Sequence, residues 1–421
     1  MLLIKNGHII NPNTNQNEVA DIIISEGVIQ EIGKNLAQSS AGVTIYANGM
    51  MVAPGLVDTH AHFREPGGTH KEDILSGARA AAKGGYTTVV MMANTNPAVD
   101  NIDILRKVLE KGKKTDINIA SCANVTYGMR GKEIVDMLAL ADVGAAGFTD
   151  DGKSLTDEEL VRSAMEKAAK VGKPISLHEE DPDLVKNPGI NKGYASSYFQ
   201  CQGAAREAEN KMVKRDLDIA QGTGATVIIQ HVSTKEAVEL IRQAKMHNPL
   251  IHAEATPHHF SLTEEALIKK GANAKVNPPL RAERDRLAII EGIKDGTLDI
   301  IATDHAPHTE AEKSGKVIDA PSGMIGLETA LSLGIRELVN PGHLSYMELI
   351  QRMSTTPAQI YDFQAGDIRI GNQADLVIFD PRESWTVKKI FQSKSSNSPF
   401  VWEIMPGVVR YTICNGEVVY I

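Results

Sequence analysis

Cysteine is nearly absent from this chain. Cys122, Cys201 and Cys414 are odd in number, far apart in 421 residues and without C-x-x-C spacing. Such a set predicts neither a disulfide framework nor a thiolate metal site. Cys414 lies in a strand-like run and reads as a small core residue. Aromatic residues make up only 5% of the chain, too few for the stacking platforms that bind single-stranded nucleic acid. Positive charge is in the minority, with 44 Lys and Arg against 53 Asp and Glu, for a formal net charge of −9. A general nucleic-acid binder is thereby disfavoured, although a local cationic cluster can still hold a small anion. No apolar run reaches the length of a membrane span, and no basic segment followed by an apolar stretch opens the sequence. The expected location is a reducing cytoplasm. Neither G-x-G-x-x-G nor a P-loop opens a helix, which weakens nucleotide-binding folds.

What is present is ordinary globular material, 42% apolar and 23% charged, long enough for one large core and an accessory domain. Residues 1–53 read as short strands, Leu2-Ile4, His8-Ile10, Asp21-Ser25 and Val28-Ile32. Asn6-Gly7 and Glu26-Gly27 between them are hairpin signals. Residues 366–421 mirror this, with strands at Ala374-Phe379, Arg410-Cys414 and Glu417-Ile421, the last two flanking Asn415-Gly416. Each end is too small to hold a core alone. The expectation is one composite β-sandwich built from both. The Lys/Ser-rich segment 383–399 is expected to be an exposed loop or connection.

Between them, residues 54–365 alternate strands and amphipathic helices. Strands are expected at 53–60, 87–93, 117–123, 145–149, 175–178, 226–231, 251–255 and 300–303. Helices are expected at 71–83, 102–113, 157–171, 207–223, 234–247 and 284–295. This pattern suits a (β/α)8 barrel, in the α/β class, better than an open doubly wound sheet.

The strand ends carry the chemistry. In Asp58-Thr-His60-Ala-His62-Phe-Arg64, alternation puts Asp58, His60, His62 and Arg64 on one face. Two imidazoles there suit a divalent transition metal, and the arginine suits a bidentate carboxylate. Other strands end at Asn94, at Asp150 and Asp151, at His178, at His231 and at Asp304. One such residue alone is usually a satisfied structural one. At five strand ends they converge on one mouth, where unpaired polar groups would cost several kcal/mol each. Four imidazoles and two carboxylates exceed the needs of one tetrahedral zinc and fit a binuclear centre, which acidifies a bound water.

These residues, with Arg64-Glu-Pro-Gly67, Asn94-Thr-Asn-Pro97, Val276-Asn-Pro-Pro-Leu-Arg281 and Thr303-Asp-His-Ala-Pro-His308, resemble the cyclic amidohydrolases of the amidohydrolase superfamily. Within that group the chain is most similar to the dihydroorotases, along essentially its whole length. Allantoinases share several of the same pieces. The resemblance implies zinc-dependent, reversible hydrolysis of a ring amide, with one or two ions per subunit. The implied metal ligands are His60, His62, Asp151, His178, His231 and Asp304. Hydantoinases and allantoinases use a carboxylated lysine as the bridge. Here Asp151 takes that place, with Asp150 as fallback and Lys153 as a remote third. Asp304 is implied as general base and then acid. Arg64, Asn94, His308, Asn277 and the backbone near Gly323 are implied as substrate contacts. A homodimer, and association with an aspartate transcarbamoylase, follow as family expectations. Inactive members of the family serve as scaffolds, but all six ligand positions are filled here. His305, next to Asp304, points away on a strand and reads as structural. His258 and His259 are ambiguous, and the segment 307–322 has the composition of a mobile lid.

Overall fold

The computed structural model describes residues 1–37 and 42–421. Leu56–Ala61, Tyr86–Met91 and Asn118–Ser121 lie side by side in parallel. Ile175–Leu177, Val227–Ile229, Ile251–Ala255 and Ile300–Ile301 form a second parallel set. Phe148 bridges Ala123 to Ile175, and His305 bridges Ala61, so the two sets join at both edges and close into a barrel. The strands are nearly continuous Val, Ile, Leu and Ala because both faces are buried. The barrel expected from the alternation is therefore present.

The surrounding helices follow from their caps and stripes. Glu158–Lys170 starts where Asp157 accepts the amides of Glu159 and Leu160. It buries Val161, Ala164, Met165 and Ala168, the i, i+3, i+4, i+7 stripe of a surface helix. Truncating Met165 to alanine would cost roughly 2–5 kcal/mol. The helix expected from residue 71 begins at Ile74, because Asp73 caps the amide of Ser76 and stops it there.

The chain ends meet in one eight-stranded network. Met51–Pro54 pairs antiparallel with Leu376–Phe379 and parallel with His8-Ile9, so the first and last parts share a ladder. Ile4, Ile9, Ile22, Ile24, Val52, Leu376 and Ile378 are buried together beneath it. Glu26-Gly27 and Asn415-Gly416 are two-residue hairpin turns with φ of 53° and 80°, and of 53° and 79°.

Asn6-Gly7 is not a turn. Leu2–Asn11 is one continuous strand, and the pair forms a bulge between Ile4 and Gly7. Asn6 takes φ 58°, and a Cβ on Gly7 would fall 2.4 Å from Val52 Cγ2. The same residue types thus serve a kink instead of a reversal. The segment 383–399 keeps its expected exposure at residues 383, 384, 386, 388–390, 392 and 394, but the rest of it is drawn in. Its first residues extend the strand Leu376–Thr386. Ser393, Ser395, Asn397 and Ser398 are buried against the barrel mouth. Ser393, Ser395 and Asn397 donate to Glu72, to Lys71 O and to Ala306 O and Gly323 O, which a polar composition alone cannot reveal.

Candidate active site

The polar residues singled out by position do gather at the carboxyl ends of the barrel strands. His60 leaves the end of Leu56–Ala61, and His62 follows once that strand has stopped. His178 and His231 follow Ile175–Leu177 and Val227–Ile229 by one and two residues, and Asp304 follows Ile300–Ile301. Arg64, His231 and Asp304 have φ of 56°, 33° and 47°. Non-glycine residues in that region are strained, and at these three positions the strain falls where side chains must turn inward.

Asp151 sits at the centre. Its Oδ1 is 3.4 Å from His60 Nε2, 3.6 Å from His231 Nε2 and 3.8 Å from His178 Nδ1. Its Oδ2 is 3.4 Å from His62 Nε2. Asp304 Oδ1 lies 3.0 Å from His62 Nε2 and 3.6 Å from His60 Nε2. Two compact ligand groups result, His60–His62–Asp151 and Asp151–His178–His231, sharing one carboxylate.

The outer nitrogens decide what the inner ones offer. His60 Nδ1 donates to Glu254 Oε2 at 2.8 Å, and His62 Nδ1 donates to Asn94 Oδ1 at 3.0 Å. His178 Nε2 donates to Glu180 Oε2 at 3.2 Å. With the outer nitrogen committed to its acceptor, each ring turns its other nitrogen inward, towards carboxylate oxygens or another imidazole, where a bound cation would take its lone pair. His60 Nε2 and Asp151 Oδ1 are buried with no hydrogen-bond partner. Inward lone pairs, buried carboxylates and orphaned atoms are what divalent cations satisfy, so the donor set fits a metal.

The same crowding shows in the acidities. Burial alone would lower the His60 imidazole, but Asp151 and Glu254 lift it well above its ordinary value. Burial would raise Asp151, but His60 and the other imidazoles hold it well below the usual carboxylate range. Asp304 is likewise held low, against burial, by His62 and His60. The cage demands positive charge from whatever lies inside it.

Asp150 faces elsewhere. It accepts the amides of Val125 and Thr126 at 2.9 Å and 3.2 Å and the Thr126 hydroxyl. Lys153 is exposed, with Nζ 3.4 Å from Met129 O. Asp58 is tied to Thr303 below the cage, accepting the Thr303 amide at 3.0 Å, and burial raises its carboxyl to about 6.

Beside the cage lies a cationic rim. Arg64 Nε donates to Pro307 O at 3.2 Å. His308 Nε2 donates to Ser322 O at 2.8 Å, so the Arg64 Nη2 group 3.4 Å away cannot donate to that nitrogen. Burial, then Arg64, Lys313 and Lys71, push His308 down to about 3, leaving it neutral. Asn94 Nδ2 donates to Asp151 Oδ2 at 3.2 Å. Asn277 Nδ2 donates to Glu180 Oε2, while its Oδ1 accepts from Gly189 N at 3.0 Å. Gly323 N donates to Lys275 O at 2.8 Å, and its carbonyl accepts from Asn397 Nδ2 at 3.1 Å. Both its polar atoms are thus engaged within the protein.

His305 holds the loop: its Nδ1 accepts from Gly326 N at 3.1 Å and its Nε2 faces Glu72 at 3.3 Å. His259 bridges the Thr256 hydroxyl at 2.7 Å and Pro278 O at 3.1 Å. His258 is buried with Nε2 unpartnered, and desolvation lowers it to about 4. Glu254, Glu180, Glu72 and Asn397 were not among the residues expected from sequence. Glu254 left one signal, a carboxylate inside the apolar strand Ile251–Ala255.

A model of the Amidohydrolase family matches residues 51–419. The chain is 53% identical over 420 residues to a dihydroorotase of Clostridioides difficile (strain 630), covering 100% of both chains. It is 49% identical over 421 residues to a dihydroorotase of Clostridium acetobutylicum, covering 100% of this chain and 99% of the other. Among solved structures it resembles an L-hydantoinase (dihydropyrimidinase) from Arthrobacter aurescens, with TM-score 0.88 and 25% identity. That match covers 100% of this chain and 96% of the other.

Proposed function

The chain belongs to the amidohydrolase family, and from that premise we propose that it is a dihydroorotase. It catalyses the reversible hydrolysis of (S)-dihydroorotate to N-carbamoyl-L-aspartate in pyrimidine biosynthesis. Relatives of that name match along the whole chain. The observation that carries the reading over a hydrolase of neutral rings is the cationic rim of Arg64 and its neighbours beside the imidazole–carboxylate cage. A ring with a carboxylate needs such a rim.

His60, His62, Asp151 and Asp304 would hold one divalent cation, and Asp151, His178 and His231 a second, with Asp151 between them. Nitrogen and carboxylate donors favour zinc. When bound, such ions polarise an amide carbonyl and lower the pKa of water to about 7. The chain's own residues do the rest. Arg64 presents a guanidinium fork to the ring carboxylate, with Asn94 and His308 beside it. Asn277 faces the ring edge. Asp304, held ionised among the imidazoles, accepts the proton of the attacking water and returns it to the ring nitrogen as the C–N bond breaks. In ring closure the same proton travels the other way.

The test is a ring-opening assay with dihydroorotate and with allantoin, alongside metal analysis. Dihydroorotate should turn over, allantoin should not, and about two zinc equivalents should be present. A chelator should abolish turnover and zinc should restore it. Turnover of allantoin alone, or full activity without metal, would overturn the proposal.

A further inference from the structure

Two lysines lie buried near the cationic rim. Lys275 is 4% exposed and Lys313 is 8% exposed. Lys313 Nζ donates to Pro321 O at 2.8 Å, Ala272 O at 2.9 Å and Lys275 O at 3.5 Å. Lys275 Nζ donates to Ala320 O at 2.7 Å and Ile318 O at 2.8 Å. These partners are all carbonyls. By contrast Lys71, at the edge of the same group, is paired with Glu312 at 2.7 Å.

We propose that Lys275 and Lys313 form a cationic latch that fixes the 309–322 loop and biases the site towards a ring bearing a carboxylate. The first half follows from connectivity. The five carbonyls belong to the 318–321 stretch and to 272–275, so the lysines stitch one loop onto the other. Ser322, the next residue, carries the carbonyl on which the His308 ring hangs. Asn277, two residues beyond Lys275, faces Glu180 at the cage. The latch thus sets the two expected substrate contacts relative to each other. It also accounts for a lid-like segment being held down here.

The second half follows from charge. Burying two ammonium groups together is costly, because carbonyl dipoles offset desolvation without neutralising charge. Burial, then the charges of Lys275 and Arg64, lower Lys313 to about 7. Loop fastening alone could be done by neutral donors. An anion drawn to Arg64 relieves this excess, whereas a neutral ring does not. The lysines are positioning residues and touch no reacting atom.

This inference rests on the dihydroorotase reading for its substrate, so the test uses two independent readouts. Lys313→Met, Lys275→Met and Lys313→Arg are compared with the wild type. The measurements are kcat and KM for dihydroorotate, inhibition by orotate, zinc content and hydrogen exchange in residues 309–322. Either methionine variant should raise KM and the orotate inhibition constant about tenfold, the loss of one charged hydrogen-bond group. In those variants kcat and zinc should hold steady and the loop should exchange faster, while Lys313→Arg should stay near wild type. Unchanged KM and loop exchange in both methionine variants would overturn the latch. So would a fall in kcat with zinc loss at unchanged orotate affinity. Failure of the wild type to open dihydroorotate would instead defeat the dihydroorotase reading, while loop exchange would still report on the latch.

Discussion

The two sides of the barrel mouth are built on opposite electrostatic plans. On the cage side, Asp151 and Asp304 face four imidazoles whose outer nitrogens are taken by Glu254, Asn94 and Glu180, apart from that of His231. Negative charge and lone pairs accumulate there. On the rim side, Arg64, Lys71 and Lys313 gather around a neutral His308, with Lys275 beside Lys313, and Glu312 pairs with Lys71. Positive charge accumulates there. Each side is poorly satisfied alone, one lacking cations and the other an anion. The cage residues leave rigid strand ends, whereas the rim residues lie on loops stitched by backbone carbonyls. On the proposed reading, the contrast separates the group that would make a nucleophile from the group that would choose the ring.

Asp304→Asn should have the largest effect. It keeps the shape of the cage but removes the proposed proton acceptor, and kcat should fall by about 10²–10⁴-fold with KM little changed. A near-normal kcat in steady-state assays would break the division of labour. Glu254→Gln is the next test, since it weakens the hold on the His60 Nδ1 proton from outside the cage. Zinc affinity measured by competition with a chelator should drop roughly 10–100-fold. An unaltered affinity would make Glu254 an ordinary buried acid. Arg64→Met probes the opposite side, and KM for dihydroorotate should rise about 10–100-fold while zinc content stays put. Loss of zinc in that variant would show that rim and cage are not separable. Asn397→Ala should act most weakly. It removes the amide that holds Ala306 O, Gly323 O and the His308 N–H, and should raise KM several-fold, by about 1 kcal/mol.

Much of the cage was legible because its residues interrupt apolar strands at their ends. His60, His178, His231 and Asp304 announce themselves as polar groups where a hydrophobic run stops. Asp150 and Asp151 could not be separated in the same way. The choice lies in which carboxylate the amides of Val125 and Thr126 capture, and those amides come from another strand end. The rim was half legible. Arg64 and His308 sit within recognisable motifs, but Lys275 and Lys313 look like solvent-facing lysines in a polar stretch. Only the surrounding carbonyls show that they are buried. Asn6-Gly7 teaches the same lesson for the fold, since a turn dipeptide becomes a bulge when Val52 packs on its glycine.

The hold of Asn397 on the His308 loop has a consequence for the order in which the molecule matures. A ribosome delivers all six cage side chains before it reaches Ser393 and Asn397. A nascent polypeptide stopped between them therefore owns the metal-seeking half of the mouth without the brace for the half that grips acid. A protease nick between residues 393 and 397 should loosen the grip on the substrate, as Asn397→Ala should, while sparing every candidate zinc donor.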